Sequence, residues 1–196
     1  MQHVVCYIFV GLYREVLEGE QIYKIIHDKV KSGCSEKGDI YVKKIYEVKK
    51  SPVANFDEKH KKSDLKWHGT TEMSMNEIAK NGYKLGNKYH NMYGGGIYTA
   101  DDAWKSAKYT GHNNKLILSK VALGKQKTVI KRDRNITDKK LRKQGYDSVI
   151  SPGGHKLQGG VHLTEHVVYS VDKITPAFIV EFIQVPRKNG RIYKNQ

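Results

Sequence analysis

Apolar residues recur along this chain with two periods, and the change from one to the other outlines the elements. Residues 3 to 10, His-Val-Val-Cys-Tyr-Ile-Phe-Val, form a nearly continuous apolar run that predicts a first strand. Ile22, Ile25, Ile26 and Val30 then fall at three- and four-residue spacing, predicting a helix that stops before Gly33. Ile40 to Val48 is rich in β-branched and aromatic residues and predicts a second strand, followed by a polar, Lys-rich connection from Lys49 to Asp64. Ser74 with Glu77 reads as a capping box for a helix whose apolar face holds Met75, Ile78 and Ala79 and whose stop is Gly82. After a loop rich in Gly and Tyr, Ile97 and Tyr98 continue as a short extended piece, and Asp101 reads as the N-cap of a helix ending near Tyr109.

The second half continues in the same way. Lys115 to Leu123 predicts a strand, Thr137 to Gln144 a short basic helix bounded by Gly145, and Tyr146 to Ile150 another strand. A glycine-rich loop from Ser151 to Gly160 leads to strands at Glu165 to Tyr169 and Phe178 to Ile183. Strands outnumber helices, and no regular strand-helix alternation builds a parallel sheet. The fold class expected is therefore α+β around antiparallel sheets. A length of 196 residues with 38% hydrophobic composition supports one domain with one core.

Composition narrows the function classes. No apolar run approaches the roughly 18 residues that span a bilayer, and the opening residues lack a basic start or a cleavage-like end. An intracellular protein of nucleus or cytoplasm, with no membrane partner, is the expectation. Cys6 and Cys34 have neither zinc-site spacing nor the density of a disulfide scaffold, which favours a reducing compartment. The net charge of +15 is regional. Residues 120 to 143 hold ten Lys/Arg against Asp133 and Asp138, and the tail from Arg187 to Gln196 adds four cations, whereas residues 1 to 66 carry thirteen cations against ten acids. Such a segment, Lys120 to Lys143, fits either a nucleic-acid partner or a solvated face. His90, His155 and His162 lie in polar loops without spaced metal partners, so no metal site is expected.

Three clusters carry the residues a site needs: Trp67-His68-Gly69-Thr70, the stretch from Tyr93 to Tyr109, and Thr164 to Tyr169. Taken in order, His68, Tyr98 in Gly-Gly-Gly-Ile-Tyr and Glu165 in Glu-His-Val-Val-Tyr resemble the catalytic domain of the poly(ADP-ribose) polymerase family, of His-Tyr-Glu type. Lys105-Ser106-Ala107-Lys108-Tyr109 and Tyr146-Asp147-Ser148-Val149 extend the match, which covers about residues 20 to 185. The resemblance implies a split antiparallel β-core with short helices around an NAD cleft. It also implies an ADP-ribosyltransferase, a pentosyltransferase that uses NAD as co-substrate, releases nicotinamide and transfers the ADP-ribose to a protein acceptor, automodification included.

Site roles follow from the resemblance. Tyr98 and Tyr109 would sandwich the nicotinamide ring, Gly69 and Ser106 would hold its carboxamide, and His68 would bond the adenosine ribose. Glu165 would bind the ribose 2′-hydroxyl and stabilise the oxocarbenium-like transition state. These roles make chemical sense, because nicotinamide in NAD is a cationic aromatic ring that attracts flat tyrosines, and the leaving group needs no proton, so one carboxylate suffices where glycosidases use two. Trp67 and Trp104 read as packing residues, and His166 as a wall of the cleft.

The sequence also departs from the family. Gly95 stands where many relatives have Lys and Thr99 where Phe is common, and the loop from Tyr83 to Met92, which in relatives covers the adenosine half, is short. Fewer than about seventy residues precede His68 in this sequence, and the strand, helix and strand read there account for them, so the family's helical regulatory domain is not expected. Elongation to poly(ADP-ribose) is favoured over single transfer. The alternative is a binding module that reads ADP-ribose or NAD and holds nucleic acid through Lys120 to Lys143. A tRNA 2′-phosphotransferase-like enzyme would need Arg residues near the clusters, and there are none.

Overall fold

Strand alternation places apolar side chains on both faces of one large sheet, so helices and loops must cover it twice. In β5 (Lys115–Val121), Leu116 and Leu118 are buried on one face and Ile117 on the other. The computed structural model describes residues 11–32, 38–188 and 191–192. Within them the earlier elements are β1 (Tyr13–Val16), α1 (Gln21–Ser32), β2 (Gly38–Val48), α2 (Phe56–Lys59), β3 (Asp64–His68), α3 (Glu72–Asn81), β4 (Ile97–Ala100) and α4 (Ala103–Ala107). After β5 come β6 (Gln126–Thr128), α5 (Asp138–Lys143), β7 (Ser148–Ser151), β8 (Glu165–Val168), β9 (Ile174–Lys188) and β10 (Arg191–Ile192).

The strand order is β1-β2-β9-β5-β3-β4-β8-β7-β6, with β10 paired to β9. Every pair is antiparallel except β6 with β7, whose crossover carries α5. This is the α+β class expected. The two halves of the sheet meet at β3 and β4, which pair only at Trp67 and Ala100. That weak seam is the split in the β-core, and the cleft opens beside it.

Three apolar clusters fill the molecule. On one face, Ile26 and Val30 of α1 pack with Trp67, Trp104, Leu116 and Phe182. On the other, Met75, Ile78 and Ala79 of α3 pack with Tyr83, Ile117 and Ile179. The third joins Tyr93, Ile136, Leu141, Val149 and Val167 around the β6–β8 half. Trp67 and Trp104 serve as core, each with its indole N–H unpartnered among the described residues.

Several expectations shift by a residue or more. The expected strand over residues 3 to 10 and the stop at Gly33 lie outside the described residues. Ile25 is exposed, because the buried stripe of α1 runs through Ile26 and Val30, with Ile22 and Tyr23 packed beside it. Helix α3 is capped by Thr71, whose hydroxyl accepts from Ser74 N–H, rather than by Ser74 with Glu77. Gly82 ends it with φ +85° and donates to Ile78 O. Helix α4 is capped by Asp102, not Asp101, and ends at Ala107. The last strand is far longer than Phe178 to Ile183, because Pro176 is accommodated where the β5 register shifts between Leu118 and Ser119. No helix among the described residues is long and apolar enough to cross a membrane.

Candidate active site

Pairing in the sheet does what sequence distance conceals. His68 ends β3, Tyr98 is in β4 opposite Val167, and Glu165 opens β8 between Ala100 and Ser151. The three strands are adjacent, so residues separated by up to almost a hundred positions face one cleft of about 610 Å³. That volume lies within the roughly 300–1,000 Å³ of ligand sites in general. His68, Gly69, Tyr98, Ser106, Tyr109 and Glu165 all line it, and so does Lys105.

Each side chain is held by a distinct contact. The Nδ1–H of His68 donates to Tyr98 O at 2.8 Å, and the ring meets Tyr83 edge-on at 5.1 Å. Burial pulls the His68 pKa below its ordinary value, and the hydrogen bond to the Tyr98 carbonyl opposes this in part. The neutral tautomer with a proton on Nδ1 leaves Nε2 as an acceptor. The Tyr98 hydroxyl donates to Gly94 O at 3.0 Å and accepts from Tyr93 N–H at 2.7 Å, so its ring is fixed by its far end. Burial raises its pKa and keeps it a neutral phenol. Tyr109 is the exposed counterpart: 62% of it is open to solvent, as the outer wall of an open slot would be.

Gly69 shows why this position excludes a side chain. A Cβ there would lie 1.7 Å from Ser106 O, so the chain after β3 and the end of α4 pass in backbone contact. The contact also carries Ser106 into the cleft, where its hydroxyl donates to Trp67 O at 3.2 Å and keeps its lone pairs free to accept.

Glu165 is not solitary. Lys105 Nζ lies 2.8 Å from Glu165 Oε1, with both side chains nearly buried, and also donates to Leu163 O. Burial lowers the Lys105 pKa, and the charge of Glu165 pushes back. The sequence pattern gives Lys105 no role, since nothing in it links positions 105 and 165.

His166 is not a wall of the cleft. Strand alternation turns it to the opposite face from Glu165, where it is buried. Its Nε2–H donates to Asp101 Oδ2 at 3.0 Å and its Nδ1 accepts from Gln126 Nε2 at 3.0 Å. Asp101 pairs in turn with Lys66. The His166 hydrogen bond, followed by that from Lys66, holds the Asp101 carboxyl well below the usual carboxylate range. One polar chain thus ties β3, the end of β4, β6 and β8 together behind the cleft.

The poly(ADP-ribose) polymerase catalytic domain model matches residues 20–184. The chain belongs to this family. It is 30% identical over 123 residues to the protein mono-ADP-ribosyltransferase PARP3 of Gallus gallus, covering 59% of this chain and 23% of that protein. It is 28% identical over 149 residues to poly [ADP-ribose] polymerase 2 of Zea mays, covering 59% of this chain and 22% of that protein. The chain therefore spans less than a quarter of the length of these relatives. Family membership and the antiparallel α+β architecture agree, and the cleft lies inside the matched region.

Proposed function

We propose that this protein is an NAD-dependent ADP-ribosyltransferase of His-Tyr-Glu type that acts on protein acceptors, itself included. The observation that carries this reading is the convergence of His68, Tyr98 and Glu165 from three adjacent strands on one cleft of the family domain. Tyr98, fixed through its hydroxyl, offers a rigid face for the cationic nicotinamide ring, and Tyr109 closes over the other face. The carboxamide meets the backbone of Gly69 and the lone pairs of Ser106. Neutral His68 accepts a ribose hydroxyl through Nε2.

Glu165 acts where charge develops. Lys105 engages Oε1, which leaves Oε2 for the 2′-hydroxyl of the nicotinamide ribose. As the C1′–N bond breaks, its electron pair neutralises the pyridinium and positive charge gathers on C1′ and the ring oxygen. A carboxylate held against the 2′-hydroxyl stabilises that charge more in the transition state than in the ground state. The acceptor then bonds C1′, and its proton passes to Glu165 or to solvent. Both relatives' names describe ADP-ribose transfer, one single and one polymeric.

Purified protein incubated with NAD labelled in the adenosine half tests the reading. Label should appear on protein, with an equal amount of free nicotinamide released. Release of nicotinamide with all label as free ADP-ribose would identify a hydrolase instead, and retention of intact NAD would identify a binding module.

A further inference from the structure

Folding sorts the basic segment into cations already engaged and cations left facing solvent. Lys120 faces Asp57 and Arg142 faces Asp138. Lys140 and Arg134 donate to the carbonyls of Asn135 and Asn91, Lys127 reaches the Gln144 side chain, and Lys125 lies over the Tyr146 ring. Lys131, Arg132, Lys139 and Lys143 form no ion pair among the described residues. The two central cations, Lys131 and Arg132, come three and four residues after the end of the edge strand β6.

Residues 127 to 133 form an open groove of about 850 Å³ with His155 and Gln158. Lys127, Lys131 and Arg132 line it, and its one acid, Asp133, is engaged with Asn135 N–H at 2.9 Å. The backbone places this groove beside the cleft. Arg132 N–H donates to Gly159 O at 3.2 Å, Asp133 N–H to Met92 O at 3.0 Å, and Arg134 Nε to Asn91 O at 3.2 Å. Asn91 and Met92 themselves line the cleft, so the basic segment runs along its rim from the glycine-rich loop to the Tyr83–Met92 loop.

Lysines on an edge strand also deter pairing with other chains. That role explains Lys127 but not Lys131 and Arg132, which lie beyond the end of β6. Lys131 and Arg132, together with Lys127, whose hydrogen bond to the neutral Gln144 side chain leaves its charge uncompensated, match a ligand with repeated negative charge. No Phe, Tyr or Trp lines the groove, and the His155 ring is hydrogen-bonded to Gln158, so contacts fall on phosphates more than on stacked bases and carry little sequence preference. We propose that this groove binds the phosphodiester backbone of a nucleic acid strand and holds it along the rim of the cleft. Binding in the groove does not rest on the function proposed above.

Fluorescence anisotropy on the full chain without NAD tests the binding alone. The probes are a single-stranded RNA, a duplex DNA and a poly(ADP-ribose) chain of matched length, with polyglutamate as the non-phosphate control. Between about 50 and about 200 mM salt, log affinity should fall linearly with log salt. The triple variant Lys127→Gln, Lys131→Gln, Arg132→Gln should make that slope shallower by about 2 to 3, since each lost phosphate contact removes about 0.7–0.9. Lys59→Gln, Lys61→Gln, Lys62→Gln removes the same net charge from an exposed segment elsewhere and should leave the slope unchanged. Thermal melts of both variants establish that they fold. Tighter binding of poly(ADP-ribose) than of either nucleic acid overturns the assignment to a nucleic acid strand. Equal loss in both triple variants, equal binding of polyglutamate, or no binding at low salt overturns the proposal, whether or not the protein turns over NAD.

Discussion

On the proposed function, Glu165 and Tyr109 of the cleft meet the same ligand but at different stages, and their substitution separates the two. Glu165→Gln keeps the shape of the side chain and removes the charge that acts in the transition state. Transfer should fall by roughly 10²–10³-fold, with NAD affinity kept within about tenfold. Tyr109→Ala removes stacking already present in the ground state and should weaken NAD binding by about 2- to 30-fold, the equivalent of about 0.5–2 kcal/mol. Calorimetric titration beside turnover checks both, and equal loss of NAD affinity in the two variants contradicts these roles. His68 supplies a pH test. Its pKa is lowered by burial in the folded chain, so below about 6.5 the unfolded chain binds the proton first. Stability owed to neutral His68 is complete above that pH and is lost as pH falls toward the folded pKa. The melting temperature of the parent should therefore drop more between about pH 7 and about pH 5 than that of His68→Gln; parallel curves would show that the ring titrates freely.

At the scale of elements, the seam between β3 and β4 is the weak point of the sheet, and the Lys66–Asp101–His166–Gln126 chain crosses it. Asp101→Ala leaves the buried Nε2–H of His166 without its acceptor. That should cost about 1–3 kcal/mol, a fall of several degrees in melting temperature. Asp101→Asn keeps an oxygen for His166 and should recover most of it, whereas an Asp101→Ala protein that melts with the parent would show the chain to be idle. None of this network was legible beforehand. Asp101 reads in the sequence as the cap of this helix, yet Asp102 does that work and frees Asp101 for the sheet. Caps one residue apart look alike in sequence, since either carboxylate can reach a first-turn N–H. The apolar faces of α1 and α3 were legible, because period 3.6 is a local signal.

Across the whole molecule, the class of fold followed from strand count and spacing, but the order of strands did not, because pairing joins segments such as β4 and β8 that lie far apart in the chain. The six candidate site residues line one cleft, while Lys105 gained meaning only when Glu165 was folded against it. The same long-range arrangement bears on whether transfer stops after one ADP-ribose. Chain growth needs a ribose hydroxyl of an attached unit to be deprotonated and aimed at C1′, and Glu165 is the carboxylate among the cleft residues suited to accept that proton. The incoming unit must dock between the loop ending at Met92 and the glycine-rich loop around Gly159. Both loops are fastened to the basic segment 132–134, which brings cations to where a growing polyanion would emerge. Attraction of that kind should hold product near the cleft and favour further rounds over release. Elongation is therefore the expected outcome. On a gel, automodified protein at saturating NAD should run as a smear that collapses under a poly(ADP-ribose) glycohydrolase, and a single sharp shift would instead establish transfer of one unit.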